Sequence, residues 1–140
     1  MREIKFRGKD CWGNWRYGDL MKNSIPTASP VIVENFYYDD PDDSMFEVNP
    51  DTVGQFTGLK DSTGKEIYEG DIVRFKLPPM VLTNEKTAVG AVVYEYGQFL
   101  VIIHAMRFTI FSVINDCTVI GNIHDNPELL WLNKTGGFEK

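Results

Sequence analysis

The chain opens on strict alternation. In Glu3-Ile4-Lys5-Phe6-Arg7 every second residue is apolar, the two-residue period of a half-buried strand with Ile4 and Phe6 inward and the charges outward. Gly13-Asn14 then punctuates a turn and Trp15-Arg16-Tyr17 can pair back, so residues 3–18 are predicted to form an antiparallel hairpin. Two prolines between Ser24 and Pro30 mark a loop. Val31-Ile32-Val33 and Phe36-Tyr37-Tyr38 are predicted as short strands, and the run from Asp39 to Ser44 cannot extend the second.

From Thr52 onward the apolar runs are denser. VGQFTGL and EIYEGDIVRF flank Lys60-Asp61-Ser62-Thr63-Gly64-Lys65, which has hairpin-turn chemistry: Asp and Ser bond back to local amides and Gly64 tolerates positive φ. Gly70-Asp71 makes a second tight turn into an apolar strand at Ile72–Phe75. After a proline-bearing loop between Leu77 and Thr87, AVGAVVYEY and QFLVII surround Gly97-Gln98 as a further hairpin, and strands are predicted at Phe108–Val113 and Cys117–Ile123. The pattern therefore predicts an all-β fold of about ten short strands in a sandwich or partly open barrel. Asn126–Trp131 adds one short helical turn near the C-terminus, and residues 133–140 are expected to form a loose tail.

Length and composition fit this picture. With 140 residues, 43% of them hydrophobic and 24% charged, the chain suits a single globular domain over residues 1–132, with an N-terminal hairpin region at 1–50 and a core at 52–132. No apolar stretch approaches the roughly 18 residues of a membrane helix and the start carries no secretory signal, so a soluble, cytoplasmic protein without membrane association is expected. Cys11 and Cys117 are too few for a disulfide framework and are expected to be reduced thiols.

Charge is segregated along the chain. Residues 1–33 hold six basic groups (Arg2, Lys5, Arg7, Lys9, Arg16, Lys22) against three acidic ones; residues 34–51 hold seven carboxylates and no Lys or Arg. The net charge of −6 opposes generic nucleic-acid binding, which draws its affinity from cations on phosphates.

Three near-motifs fail on a named residue or spacing. Gly58–Glu66 has five residues between its glycines and Glu66 where a phosphate loop needs Ser or Thr, so a hairpin turn is the expected reading. The acidic run Asp39–Asp43 lacks the Gly and Glu of a calcium loop and reads as solvated. Cys11, His104, Cys117 and His124 lack zinc-site spacing, and His124-Asp125 with Cys117 is too common a trio to indicate a nucleophile. No catalytic residue, metal or cofactor is assigned, and the expectation is a non-enzyme.

The stretch Thr52–Phe75, TVGQFTGLKDSTGKEIYEGDIVRF, strongly resembles the signature of the YopX family of bacteriophage and prophage proteins; MREIKFRGKD at the start and VIGNIHDNPELL at Val119–Leu130 resemble that family's ends. The resemblance implies an all-β fold and a phage-encoded protein working in the bacterial cytoplasm, and it implies no reaction. The residues shared with the pattern, Gly54, Gly58, Glu69, Gly70 and Asp71, together with Gly64, form a turn motif that backbone geometry can explain.

One constellation points to binding. Lys5, Arg7 and Lys9 are placed on the exposed face of the first strand, with Trp12, Trp15 and Arg16 on the return. Cations beside stacking rings suit single-stranded nucleic acid. The same residues suit a solvated face over core tryptophans, or a contact with the acidic segment in the chain or across subunits. The expected function is thus a non-enzymatic protein-binding or assembly module that forms homo-oligomers or meets a phage or host protein; the alternative is a single-stranded nucleic-acid-binding accessory in phage replication or regulation.

Overall fold

The computed structural model describes residues 2–22, 28–34, 44–77 and 86–131. The expected strand at Phe36–Tyr38, the acidic run Asp39–Asp43, most of the Leu77–Thr87 loop and the 133–140 tail lie outside the described residues. Among those described are eleven strands: β1 (Phe6–Lys9), β2 (Trp15–Met21), β3 (Val31–Val33), β4 (Met45–Glu47), β5 (Gly54–Lys60), β6 (Glu66–Tyr68), β7 (Asp71–Lys76), β8 (Thr87–Glu95), β9 (Gln98–Ile103), β10 (Met106–Thr109) and β11 (Thr118–Asn122). They form two antiparallel sheets of order β4-β3-β2-β1-β5-β6 and β10-β9-β8-β7-β11, so the fold is all-β with open sheets rather than one closed barrel. The chain divides into two compact units, Met1–Gly58 and Leu59–Lys140.

In the first unit, β1 and β2 pair as Phe6↔Gly18, Arg7↔Tyr17, Gly8↔Arg16 and Lys9↔Trp15, and β1 meets β5 through Arg7↔Gly54. Strand β1 begins three residues later than the alternation suggested, and Ile4 is exposed. Gly8 allows close approach of β1 to Val48, whose Cγ2 would lie 2.8 Å from an added Cβ. Among the described residues of this unit, Ile32, Val33, Val48 and Phe56 are the buried large apolar side chains.

The second unit owes its core to alternation on β7, β8 and β9. Val73, Phe75, Ala88, Val92, Val101 and Ile103 share one face and pack with Ile67, Ile110, Val113, Cys117 and Val119. Phe75 and Phe108 meet edge to face with centroids 5.8 Å apart, a geometry favoured by the ring quadrupoles. Tyr96-Gly97, both with positive φ, close the two-residue β8–β9 hairpin.

The segment Phe108–Val113, expected as a strand, is a strand only to Thr109 and then turns into a short helix, α1 (Ile110–Val113). Ile110 and Val113 are three apart and both buried, which a helical turn achieves and a strand would not, since it would send them to opposite faces. Pro127–Leu130 forms a turn of 3₁₀ helix, where Asn126–Trp131 was expected to turn helically.

Candidate binding surface on the first hairpin

The β1–β2 register sorts the basic residues onto two faces. Lys9 and Trp15 are partners, as are Arg7 and Tyr17, so these four share a face with Lys5; Arg16 is opposite Gly8 and lies on the other face. The expectation of one surface carrying Lys5, Arg7, Lys9 and Arg16 is thus corrected: period-two alternation on β2 separates Arg16 from Trp15.

The exposure expected of Arg7 is corrected as well. Arg7 is only 5% exposed, with its guanidinium 4.7 Å from the Trp15 ring centroid. Lys9 Nζ lies 5.6 Å from the same ring, and Lys5 Nζ lies 5.2 Å from that of Phe56 while also 3.2 Å from the Glu3 carboxylate. A ring's negative face can take the place of part of a cation's hydration, which is how Arg7 enters a buried position. Trp15 is half-buried beneath these cations rather than an open stacking platform.

On the opposite face, Arg16 stacks its guanidinium carbon 3.7 Å from the Phe46 centroid and donates from Nε to Asp10 Oδ2 at 2.9 Å. Asp10 is the hub that sequence reasoning missed. Its Oδ1 accepts the amides of Trp12 and Asn14, each at 2.9 Å, while its backbone N–H donates to Asn14 O and its carbonyl accepts from Gly13 N–H. Burial pushes the carboxyl upward, but the Asn14 amide, Arg16 and the Trp12 amide outweigh it and leave Asp10 below the ordinary Asp range.

The second unit repeats this turn atom for atom. Asp61 Oδ1 accepts the amides of Thr63 (2.8 Å) and Lys65 (2.9 Å), its N–H donates to Lys65 O, and its carbonyl accepts from Gly64 N–H. Asp10-Cys11-Trp12-Gly13-Asn14 and Asp61-Ser62-Thr63-Gly64-Lys65 share the spacing D-x-x-G-x, the signal that could have identified the Asp10 hub from its twin. They differ at the third residue. Thr63 turns its hydroxyl back to Asp61 at 2.7 Å, whereas Trp12 stands 76% exposed. Cys11 is exposed beside it, and an open cleft of about 520 Å³ adjoins the turn, bounded by Asp10, Cys11, Ser29, Glu47, Val48, Asn49 and Pro50.

The turn-motif residues are held as follows. Gly58, Gly64 and Gly70 have φ of 85°, 89° and 92°, and Gly54 is buried in β5 beside Arg7. Gly70 donates to Val92 O, Asp71 Oδ2 accepts the Tyr68 amide at 2.7 Å, and Glu69 sits in the turn between β6 and β7. Asp61 Oδ2 accepts the Val119 amide at 2.8 Å. Cys117 is buried, and burial first, then the charges of Asp61 and Asp71, push its thiol up to about 12. Such a thiol holds its proton and makes a poor nucleophile. Asn122 Oδ1 accepts the amides of His124 and Asp125, placing both in a side-chain-capped turn. Among the described residues, no three His, Cys, Asp or Glu side chains converge on a point a metal ion could occupy. No helix of those residues is long and apolar enough to cross a membrane.

Among solved structures, the chain is similar to protein EF1440 from Enterococcus faecalis, with 26% identity, a TM-score of 0.53, and coverage of 93% of this chain and 99% of that one. No curated protein matches. The model of the family described as YopX protein matches residues 5–131, spanning the Asp10 turn, the Asp61 turn and both sheets, and by that match the chain belongs to the YopX family.

Proposed function

We propose that this protein is a non-enzymatic binding or assembly module, encoded by a phage or prophage and acting in the bacterial cytoplasm, whose ligand is protein and includes copies of itself. The observation that carries this reading is the exposed Trp12 on a turn held by Asp10. Large aromatic side chains on rigid turns are the residues that dominate protein interfaces, because they bury much area while losing little conformational entropy. Met21 and Tyr17, also exposed, belong to residue types enriched at such interfaces.

The cations of the hairpin favour protein over nucleic acid as the ligand. Arg7 and Lys9 lie against Trp15, Lys5 against Phe56, and Arg16 against Asp10 and Phe46, so Trp15, one of the two rings that could stack a base, is already faced by cations of the chain itself. The phage setting rests on the YopX family membership.

Light scattering over a concentration series, joined to pull-downs from phage-infected host lysate, tests the reading. Self-association, or saturable capture of a protein later bound by the purified pair, supports it. A strict monomer that captures no protein overturns it, as does tight, salt-sensitive binding of short single-stranded oligonucleotides by anisotropy that reversal of Lys9 to Glu abolishes.

A further inference from the structure

The twin turns separate what the backbone requires from what it does not. At the third position of D-x-x-G-x the Asp61 turn needs only a small residue whose hydroxyl closes back on the carboxylate, and Thr63 supplies it. The Asp10 turn forms the same backbone hydrogen bonds with a tryptophan there. Trp12 contributes nothing to the turn that threonine would not, and leaving its indole in water is unfavourable by the area it exposes. Its presence asks for an external contact.

We infer that Trp12 is the anchor of self-association: the indole of one copy enters the cleft beside the same turn of a second copy, and the exchange is reciprocal about a two-fold axis. This rests on the reading of the protein as a self-associating module. The cleft's volume of about 520 Å³ is ample for an indole, and its chemistry matches one. Pro50 offers apolar surface to the ring, while Ser29, Glu47 and Asn49 offer oxygens to the indole N–H. The occupant is a second copy because tryptophan and cleft adjoin: Cys11, neighbour of Trp12, is itself part of the cleft wall. A two-fold axis at that point seats both indoles at once, each copy giving and receiving the same patch. It also brings opposite charges into one contact, Lys9 beside the turn and Glu47 in the cleft wall, whereas Glu47 would repel an anionic ligand.

The decisive experiment is sedimentation velocity of the full chain across a concentration series, with Trp12→Thr and Glu47→Lys, each paired with a thermal melt. The twin turn shows that threonine satisfies this backbone, so Trp12→Thr is expected to keep the native melting temperature and to weaken dimerisation at least about tenfold, the loss typical of an aromatic hot spot. Glu47→Lys is expected to weaken it in the same direction, and a short bis-maleimide should join two copies through Cys11 in the native protein but not in Trp12→Thr. A native dimer that Trp12→Thr and Glu47→Lys leave unchanged overturns this contact while leaving self-association standing. A native monomer at every concentration overturns both. Should Trp12→Thr lower the melting temperature, Glu47→Lys at its exposed strand position decides the matter.

Discussion

Arg7 and Trp15 meet diagonally across β1 and β2: in register Arg7 stands opposite Tyr17 and Trp15 opposite Lys9, yet the guanidinium lies 4.7 Å from the indole centroid. This diagonal is what lets a cation lie buried in the first unit. A residue that by charge belongs on the surface is therefore part of the structure that holds the hairpin.

Replacing Arg7 should therefore change stability before it changes binding. Arg7→Ala is expected to cost about 2 kcal/mol, the value of a desolvated cation–ring contact with the packing of its stem. Arg7→Lys should recover only part of this, since an ammonium cannot stack flat on the ring. Chemical denaturation of the two variants checks the order, and equal stability of Arg7→Ala and the native protein would refute it.

The Asp61 carboxyl gives the second unit an acid limit. Burial raises its pKa, but the Thr63 hydroxyl and the amides of Val119, Lys65 and Thr63 outweigh burial and hold it below the ordinary value. A carboxyl depressed on folding contributes stability that is complete above its unfolded value of about 3.9 and is lost as pH falls through the folded one. Melting curves between pH 6 and pH 2 should show that loss. Asp61→Asn should flatten the acid limb and cost about 3 kcal/mol at neutral pH, because an amide cannot accept every bond the carboxylate holds.

Gly18 and Gly13 make a matched pair. A Cβ at Gly18 would lie 2.0 Å from the carbonyl oxygen of Val33, a backbone atom that cannot move aside without parting β2 from β3. Nothing lies within 4 Å of a Cβ at Gly13, whose φ is 83°. Gly18→Ala is expected to lower stability by more than about 3 kcal/mol or to prevent folding, whereas Gly13→Ala should cost about 1 kcal/mol from left-handed strain alone. Soluble yield and thermal melts distinguish the two, and near-equal losses would contradict the geometry.

The two thiols should react at very different rates. Cys11 is exposed; Cys117 is buried with its thiol pushed up to about 12. At pH 8 a maleimide read by intact mass should add once to the native protein and twice after denaturation. Double labelling of the native protein at a single rate would show that the second unit opens readily at Cys117.

Much of the fold was legible because turn chemistry and alternation are local. Val31–Val33, the Asp61 hairpin, the Gly70 turn and the β8–β9 hairpin all follow from residues within a few positions of one another. What escaped depended on distant partners. The burial of Arg7 needs Trp15 on the next strand, and the separation of Arg16 from Lys9 needs the register of two strands. The helix α1 needs a core to receive Ile110 and Val113, since its residues favour a strand on their own. For the candidate surface, the tryptophans and cations could be placed on the first hairpin from local pattern, but the hub Asp10 was passed over; its spacing twin at Asp61 was the available clue.

The carboxylate of Asp61 also sets an order of events during synthesis. One of its oxygens receives the amide of Val119, which joins the chain 58 residues later. Until that residue has left the ribosome, the Asp61 hairpin can close its own turn but must keep its outer oxygen in water. β11, which pairs with β7 and follows Cys117, is the last of the described strands to be synthesised, and a nascent chain arrested before Val119 would hold the turn without this bond.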